Sequence, residues 1–372
     1  MNLLVYPEFN IKYNDPCPCQ SGKKFKQCCR GKKDRFTIKQ WAYIFKKYFN
    51  KNKCYVPLEL RSDCSHGCKS HSIGKSSSLK FISESGHLYG IKRNIYDPNV
   101  NIIQKIGINK ASTFLGFCHS HDSYLFKKID KGILTSNRET AFLFSYRSLC
   151  RELYCKEAFV AALREALSIS ITHTKAFLKQ RYNFEKNVAL RDIRLEKKMY
   201  DYILLSRDYN HVSFLEMIFD NVSPFVTSVH IFPYFDFSSS MLQDPSDFEI
   251  TMKGISLNII NQGSVGRAIF TVVGNSNDSG IKFIRSINTL KKEILPQILL
   301  NFIFEYSENV FVNIPWWDSL DPNISEYLID RFNYSSNPSI SDIRESEKSR
   351  VQSLKHDHKC SLFSVKESNL VI

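Results

Sequence analysis

Along the chain the apolar positions change their period, and each period predicts a different kind of element. Between 135 and 175, Phe142, Tyr146, Leu149 and Leu153 recur at the spacing of one helix face. Thr135-Ser136-Asn137-Arg138-Glu139 precedes them as a Ser-x-x-Glu capping box, which predicts where that amphipathic helix, or pair of helices, starts. From Glu185 to about Leu205 the pattern returns with Val188, Ile193, Leu195, Met199, Ile203 and Leu204, predicting a helix packed along one side. Beyond 223 the runs shorten to FVTSVHIF, FEITMKGISLNII and RAIFTVVG, broken by Asp, Ser and Gly, which read as strands. A long helix then fits Gly280 to Ser307, with Leu290, Ile294, Ile298, Leu299 and Phe302 on one face. SENVFVNIPWWDSL closes it, with Trp316 and Trp317 as packed anchors, and the tail from Ser335 is polar and predicts helix only in part.

Strands followed by helices predict a multidomain α+β chain. Its units are expected at 1–34 (a small zinc module), 35–60 (a basic, aromatic helical connector), 61–134 (a Cys/His module), 135–215 (a helical layer), 216–334 (a mixed α/β lobe) and 335–372 (a polar tail). The length of 372 residues suits several folding units, and 43% hydrophobic against 24% charged residues excludes wholesale disorder. No apolar run reaches the roughly 18 residues that a membrane helix needs, and MNLLVYPEFNIKYND meets an acid and a proline early. The expectation is a cytoplasmic protein with no membrane partner. Gly263-Ser264-Val265-Gly266 lacks the spacing and the following Lys-Ser/Thr of a phosphate loop.

Charge changes the picture at the front of the chain. The net charge is +14, and from Lys23 to Lys53 twelve basic residues face one acid, Asp34. Lys23, Lys24, Lys26, Lys32, Lys33 and Arg35 are the candidate phosphate contacts. The interleaved Phe25, Phe36, Trp41, Tyr43, Phe45, Tyr48 and Phe49 either offer stacking faces to bases or turn one side of a helix into a core.

Eleven cysteines fall partly into clusters, which in a cytoplasmic chain points to metal before disulfides. NDPCPCQSGKKFKQCC places Cys17, Cys19, Cys28 and Cys29 in a C-x-C-x8-C-C pattern. Four thiolates satisfy a tetrahedral zinc ion and leave no open position, and the neighbouring lysines offset their charge. The segment closely resembles the SEC-C metal-binding motif through NDPCPC, SGKKFK and the final Cys-Cys, with Gln20 in place of the usual glycine. The resemblance implies zinc and a docking role toward protein partners or ribosomes, without chemistry of its own.

A second set of ligands lies in RSDCSHGCKSHSIGKSSSLKFI and ASTFLGFCHSHDSYLFKKID. Cys64-x3-Cys68 and Cys118-x2-His121 have the spacing of two knuckles clasping one zinc, with His66 and His119 inside them as alternative ligands. HLYGIKRNIYD between them, punctuated by Gly86 and Gly90, reads as a hairpin, and a short helix from Asp122 to about Lys128 completes a treble-clef-like order. This order resembles a zinc-supported HNH endonuclease module, although the first knuckle is one residue longer than usual and the signature asparagine is missing. The resemblance implies His71 or His66 as the base that activates water, with Asp122, His119 or His87 holding a catalytic magnesium or manganese ion. Ser76-Ser77-Ser78 reads as a helix start, Cys150 and Cys155 as core thiols, and His356, His358 and Cys360 as incidental for want of a fourth ligand. The function expected first is a zinc-held docking protein for nucleic acid, ribosome or an acidic protein partner. A metal-dependent nuclease recruited through the front module is the alternative.

Overall fold

The strands after 211 alternate between two buried faces, and most of the architecture follows from that alternation. The computed structural model describes residues 12–17, 21–31, 36–93, 101–131, 136–170, 172–274, 278–334, 348–349, 351–355 and 363–372. Its first half contains α1 (Phe25–Cys28), α2 (Ile38–Tyr48), β1 (Gly67–His71), β2 (His87–Arg93), β3 (Asn101–Gly107), β4 (Thr113–Cys118), α3 (His119–Lys131), α4 (Arg138–Ile169), α5 (Thr172–Phe184) and α6 (Leu190–Ser206). Its second half contains β5 (Val212–Phe219), β6 (Phe225–Ile231), β7 (Ile255–Gln262), β8 (Val265–Val273), α7 (Asp278–Asn288), α8 (Leu295–Tyr306), β9 (Val310–Val312), α9 (Ile314–Asp318), α10 (Pro322–Tyr334) and β10 (Val365–Val371). The class is α+β, and no helix among the described residues is long and apolar enough to cross a membrane.

Eight strands form one sheet in the order β10-β5-β8-β7-β6-β9-β2-β3, and every pairing in it is antiparallel. The lobe expected as mixed α/β is therefore built without parallel crossovers. On one face Leu215, Met217, Ile255, Leu257, Ile259, Ala268, Phe270 and Val272 pack against α7, α8 and α10. On the other, Phe214, Ile260, Ile269 and Val273 pack under α4 and α6. Polar residues on this second face are buried too. Ser148 Oγ meets Ser228 Oγ at 2.8 Å and donates to Asn258 Oδ1 at 3.1 Å, and Ser145 Oγ donates to Ser256 Oγ at 2.8 Å. An alternating apolar and polar strand such as ISLNIINQ usually signals one wet face. Here α4 covers that face and supplies hydroxyl partners to Ser228, Ser256 and Asn258 Oδ1, which offset the cost of burial, while Asn258 Nδ2 is buried without a partner among the described residues.

The start of α4 lies one residue later than the expected box. Asn137 Oδ1 accepts from Thr140 N at 2.9 Å and Thr140 Oγ1 accepts from Asn137 N at 3.1 Å, while Glu139 pairs with Lys128 instead. Asn137→Ala is expected to lower stability by about 1 kcal/mol, whereas Glu139→Ala stays within about 0.5 kcal/mol; urea midpoints at constant slope separate the two.

The helix expected over Gly280–Ser307 is two helices, α7 and α8, separated by a short 3-10 turn at Lys292–Ile294. Pro296 sits in the first turn of α8, where its missing N–H is harmless; inside one continuous helix it would remove a hydrogen bond and clash with the preceding turn. Trp317 is buried and stacks on Phe304 at 5.7 Å. The tail expected to be polar and partly helical ends in β10, which pairs with β5 from Val365↔Phe219 to Val371↔Phe214. His356, His358 and Cys360 lie outside the described residues.

The treble-clef-like order also changes. The hairpin expected between the two knuckles is β2–β3, and it belongs to the eight-stranded sheet, joined to it through Tyr89↔Val312 and Gly90↔Phe311. Gly90 is a strand residue and no turn: a Cβ there would meet Ile106 Cδ1 at 2.7 Å and Phe311 Cε1 at 3.1 Å. Ser85 and Gly86, both at positive φ, form the turn that leads into β2. The strands next to the knuckles, β1 and β4, pair with each other in a separate two-stranded sheet, and α3 starts directly after β4. Sheet pairing thus runs across the boundaries expected at 134, 215 and 334.

Candidate metal centres

The first centre is built on a hairpin-like turn followed by one helical turn. Cys17 N donates to Lys23 O at 2.8 Å, Phe25 N to Asp15 O at 2.9 Å and Lys26 N to Tyr13 O at 3.0 Å, with Gly22 at φ +75 in the bend. α1 then carries Cys28, and Cys29 caps it. These elements bring Cys17, Cys28 and Cys29 together, their sulfurs all within 4.8 Å of one another. The Cys28 and Cys29 sulfurs are 3.8 Å apart, and Ser21 Oγ donates to Cys28 Sγ at 3.1 Å. A tetrahedral ion with metal–sulfur bonds of about 2.3 Å needs sulfurs about 3.8 Å apart, so the donors suit a thiophilic metal. Cys19, the fourth expected ligand, lies outside the described residues, as do Lys32, Lys33 and Arg35.

The second centre joins three stretches of chain. Lys53 N donates to Leu115 O at 2.9 Å and Tyr55 N to Gly116 O at 3.0 Å, so the segment around Cys54 runs beside β4. A 3-10 turn from Leu58 to Asp63 presents Cys64, and the end of β4 and the first turn of α3 present Cys118 and His121. His119 N to His66 O at 3.0 Å and Ser120 N to Ser65 Oγ at 3.0 Å tie the loop after Cys64 to the start of α3. Cys54, Cys64, Cys118 and His121 form one ligand group within 4.8 Å. His121 Nδ1 lies 3.7, 3.6 and 3.0 Å from the sulfurs of Cys54, Cys64 and Cys118.

The group differs from the expected one at a single position. Cys64, Cys118 and His121 are in it; Cys68 is not, and Cys54 stands in its place. Cys68 lies on β1, where its thiol reaches Ser70 Oγ at 3.4 Å and the Phe117 carbonyl at 3.7 Å. The physical reason is strand pairing: Cys68 is opposite Phe117, a register that holds it in the ladder and leaves the corner to the incoming segment at 54.

Electrostatics divide the thiols. Burial disfavours the Cys118 thiolate, yet N–H donors from His121 and Ser65 outweigh it and bring the thiol down to about 6. Cys64, exposed as a residue, has its thiol pushed up to about 12 by desolvation and by the adjacent Cys54 and Cys118. Three thiols this close cannot all ionise unaided, and a divalent cation between them removes the penalty.

The residues read as nuclease machinery do not gather. His71 ends β1, where its Nδ1 lies 2.9 Å from the Ala111 carbonyl oxygen; burial lowers its pKa. Asp122 sits in the first turn of α3, its carboxyl pushed up by desolvation against the pull of Arg147, with Oδ1 buried and unpaired among the described residues. Neither joins a group of three or more close ligands among the described residues. His66 and His119 stack on each other at 5.4 Å, and His87 Nδ1 lies 2.9 Å from the Ser85 carbonyl oxygen at the start of β2. A buried chain from Ser256 Oγ to His230 Nδ1 (2.9 Å) and from His230 Nε2 to Glu196 Oε2 (2.7 Å) has the connectivity of a nucleophile relay. Its serine is fully buried under α4, where it pins helix to sheet.

The basic stretch divides in the same way. Phe36, Trp41 and Ile44 pack with Ala162, Leu163, Ala166 and Leu178 of α4 and α5, and Phe45 and Tyr48 lean on that cluster. Lys47 is paired with Glu165 and Lys53 with Glu157. Lys39, Tyr43 and Lys46 face outward at i, i+4 and i+7 of α2, with Tyr43 70% exposed. Lys23, Lys24 and Lys26 are exposed beside the first centre.

No curated protein and no solved structure matches the chain. Residues 14–31 match the family model described as the SEC-C motif, so the segment that gathers Cys17, Cys28 and Cys29 is a SEC-C motif.

Proposed function

We propose that this protein is a zinc-held docking protein whose partner is a nucleic acid, RNA in particular. The carrying observation is the outward stripe of Lys39, Tyr43 and Lys46 on α2, together with exposed Lys23, Lys24 and Lys26. Lysines with no acid paired to them among the described residues attract phosphate, and an exposed tyrosine among them offers a face on which a base can stack. Zinc is the metal proposed for the first centre, because three adjacent thiolates with a fourth cysteine in the same motif make a soft, closed donor set. Such a centre holds shape and leaves no position for a substrate. Docking is favoured over phosphodiester cleavage because His71 and Asp122 stay outside any ligand group among the described residues.

Filter binding of labelled single-stranded RNA across a salt series tests this reading. Lys39→Glu with Lys46→Glu is expected to weaken binding and flatten the plot of log affinity against log salt by about 0.7 per lost phosphate contact. Tyr43→Ala is expected to cost about 1–3 kcal/mol with little change in slope. Binding without salt dependence, or a partner retained after these substitutions and lost only when residues 12–31 are deleted, would point to an acidic protein instead.

A further inference from the structure

We infer that Cys54, Cys64, Cys118 and His121 form a second, structural zinc site of three sulfurs and one nitrogen, and that it clasps the segment after α2 to the β1–β4–α3 unit. The site is independent of the SEC-C motif and of the docking role proposed for it.

Three observations carry the inference. In a tetrahedral site with Zn–S of about 2.3 Å and Zn–N of about 2.0 Å, sulfur and nitrogen stand about 3.5 Å apart. The distances of 3.7, 3.6 and 3.0 Å from His121 Nδ1 bracket that value, on sulfurs that come from three separate stretches of chain. The second observation concerns how the backbone converges on the corner. The segment around Cys54 is fastened to β4 through Lys53 N and Tyr55 N, and Asn52 packs so closely on Gly67 that a Cβ there would meet its Cγ at 2.7 Å. Cys64, Ser65, His66 and Gly67 are all exposed, and the loop that presents the Cys64 sulfur is tied to α3 by the Ser65 and His66 hydrogen bonds and the His66–His119 stack. The third is chemical: Cys118 and His121 are buried together with a half-buried Cys54, and three sulfurs with an imidazole nitrogen are a soft set that favours zinc over magnesium or calcium. All four tetrahedral positions are taken, so the ion is a staple and has no open position for chemistry.

The experiment uses the full chain carrying Cys17→Ser and Cys28→Ser, which removes the first centre. This chain is expected to retain one zinc per molecule by elemental analysis. Its cobalt-substituted form is expected to show tetrahedral d–d bands and the thiolate charge-transfer intensity of three sulfurs. Adding Cys64→Ser is expected to abolish stoichiometric metal; because Cys64 is exposed, this substitution opens no cavity, and far-UV circular dichroism checks that the sheet persists. Adding Cys68→Ser instead is expected to leave one metal and the three-sulfur spectrum unchanged. A background chain that binds no zinc while folded would overturn the inference. So would loss of metal with Cys68→Ser but not with Cys64→Ser, or a Cys64→Ser chain that still shows three thiolates per cobalt.

Discussion

Stripping zinc from the wild-type chain with a strong chelator is expected to unfold residues 12–31 while the eight-stranded sheet remains folded. Among the described residues of this segment the buried ones are Cys17 and Cys29, so the sulfurs themselves are its interior. α1 has four residues and buries none of them, far below the length at which a helix is stable alone. Contacts of this segment among the described residues include turn hydrogen bonds and Arg30 lying over the Tyr13 ring at 4.1 Å, an exposed pair that contributes about 0.5–1 kcal/mol. Structural zinc supplies on the order of 10–16 kcal/mol in small peptides, far more than the contacts among the described residues contribute to offset the entropy of ordering. Trypsin reads the change: Lys23, Lys24, Lys26 and Arg30 should be cut at least about a hundredfold faster in chelator, with added zinc restoring protection. Equal protection with and without zinc would show a segment that folds on its own, contrary to the role given to its thiolates.

Arg147→Ala is expected to cost about 3 kcal/mol of global stability. Its guanidinium, 2% exposed, donates to both carboxylate oxygens of Asp130 at 2.9 and 2.7 Å and lies over the Phe126 ring at 4.0 Å. Removing it leaves a void beside Phe126 and a carboxylate that is partly buried but open enough to rehydrate, which places the loss at the lower end of the range for broken buried pairs. Lysine cannot replace it, since a single ammonium cannot span both oxygens and stack on a ring. Because this pair binds α3 to α4, and His121 lies in the first turn of α3, the substitution should also weaken metal retention at the second centre. Urea unfolding measures the first effect and competition with a metallochromic indicator the second. A change below about 1 kcal/mol would mean that the surrounding aromatic packing alone secures α3.

Legibility in the sequence followed the range over which each constraint acts. The first centre could be read because its thiols sit within a dozen residues and the turn between them is local. Three of the second centre's four ligands were legible, Cys118 and His121 as neighbours one helical turn apart and Cys64 through its knuckle-like spacing to Cys68. Cys54 was not: it has no neighbouring ligand in sequence, and only its backbone bonding beside Leu115 and Gly116 brings it to the others. Its nearest signal was an unassigned thiol ten residues before Cys64. Helical periodicity marked α4 and α6 within a few residues, since amphipathic spacing is local. Strand partners are set by distant residues, so neither the entry of β2–β3 into the large sheet nor the return of β10 to pair with β5 was visible. The aromatics between 36 and 49 had two possible destinations, and the availability of α4 and α5 as a packing surface decided between them.

The path of the chain between His71 and Thr113 has a practical outcome. It leaves the metal-bearing unit, contributes an edge ribbon to the main sheet beside β9, and comes back to complete the same unit with β4. Scissors placed at either end of this excursion would therefore release two incomplete pieces: a cysteine cluster robbed of its scaffold, and a sheet with a strand left bare. Anyone seeking a minimal fragment of this molecule should trim before residue 36 and keep everything from there to Val371 in one piece.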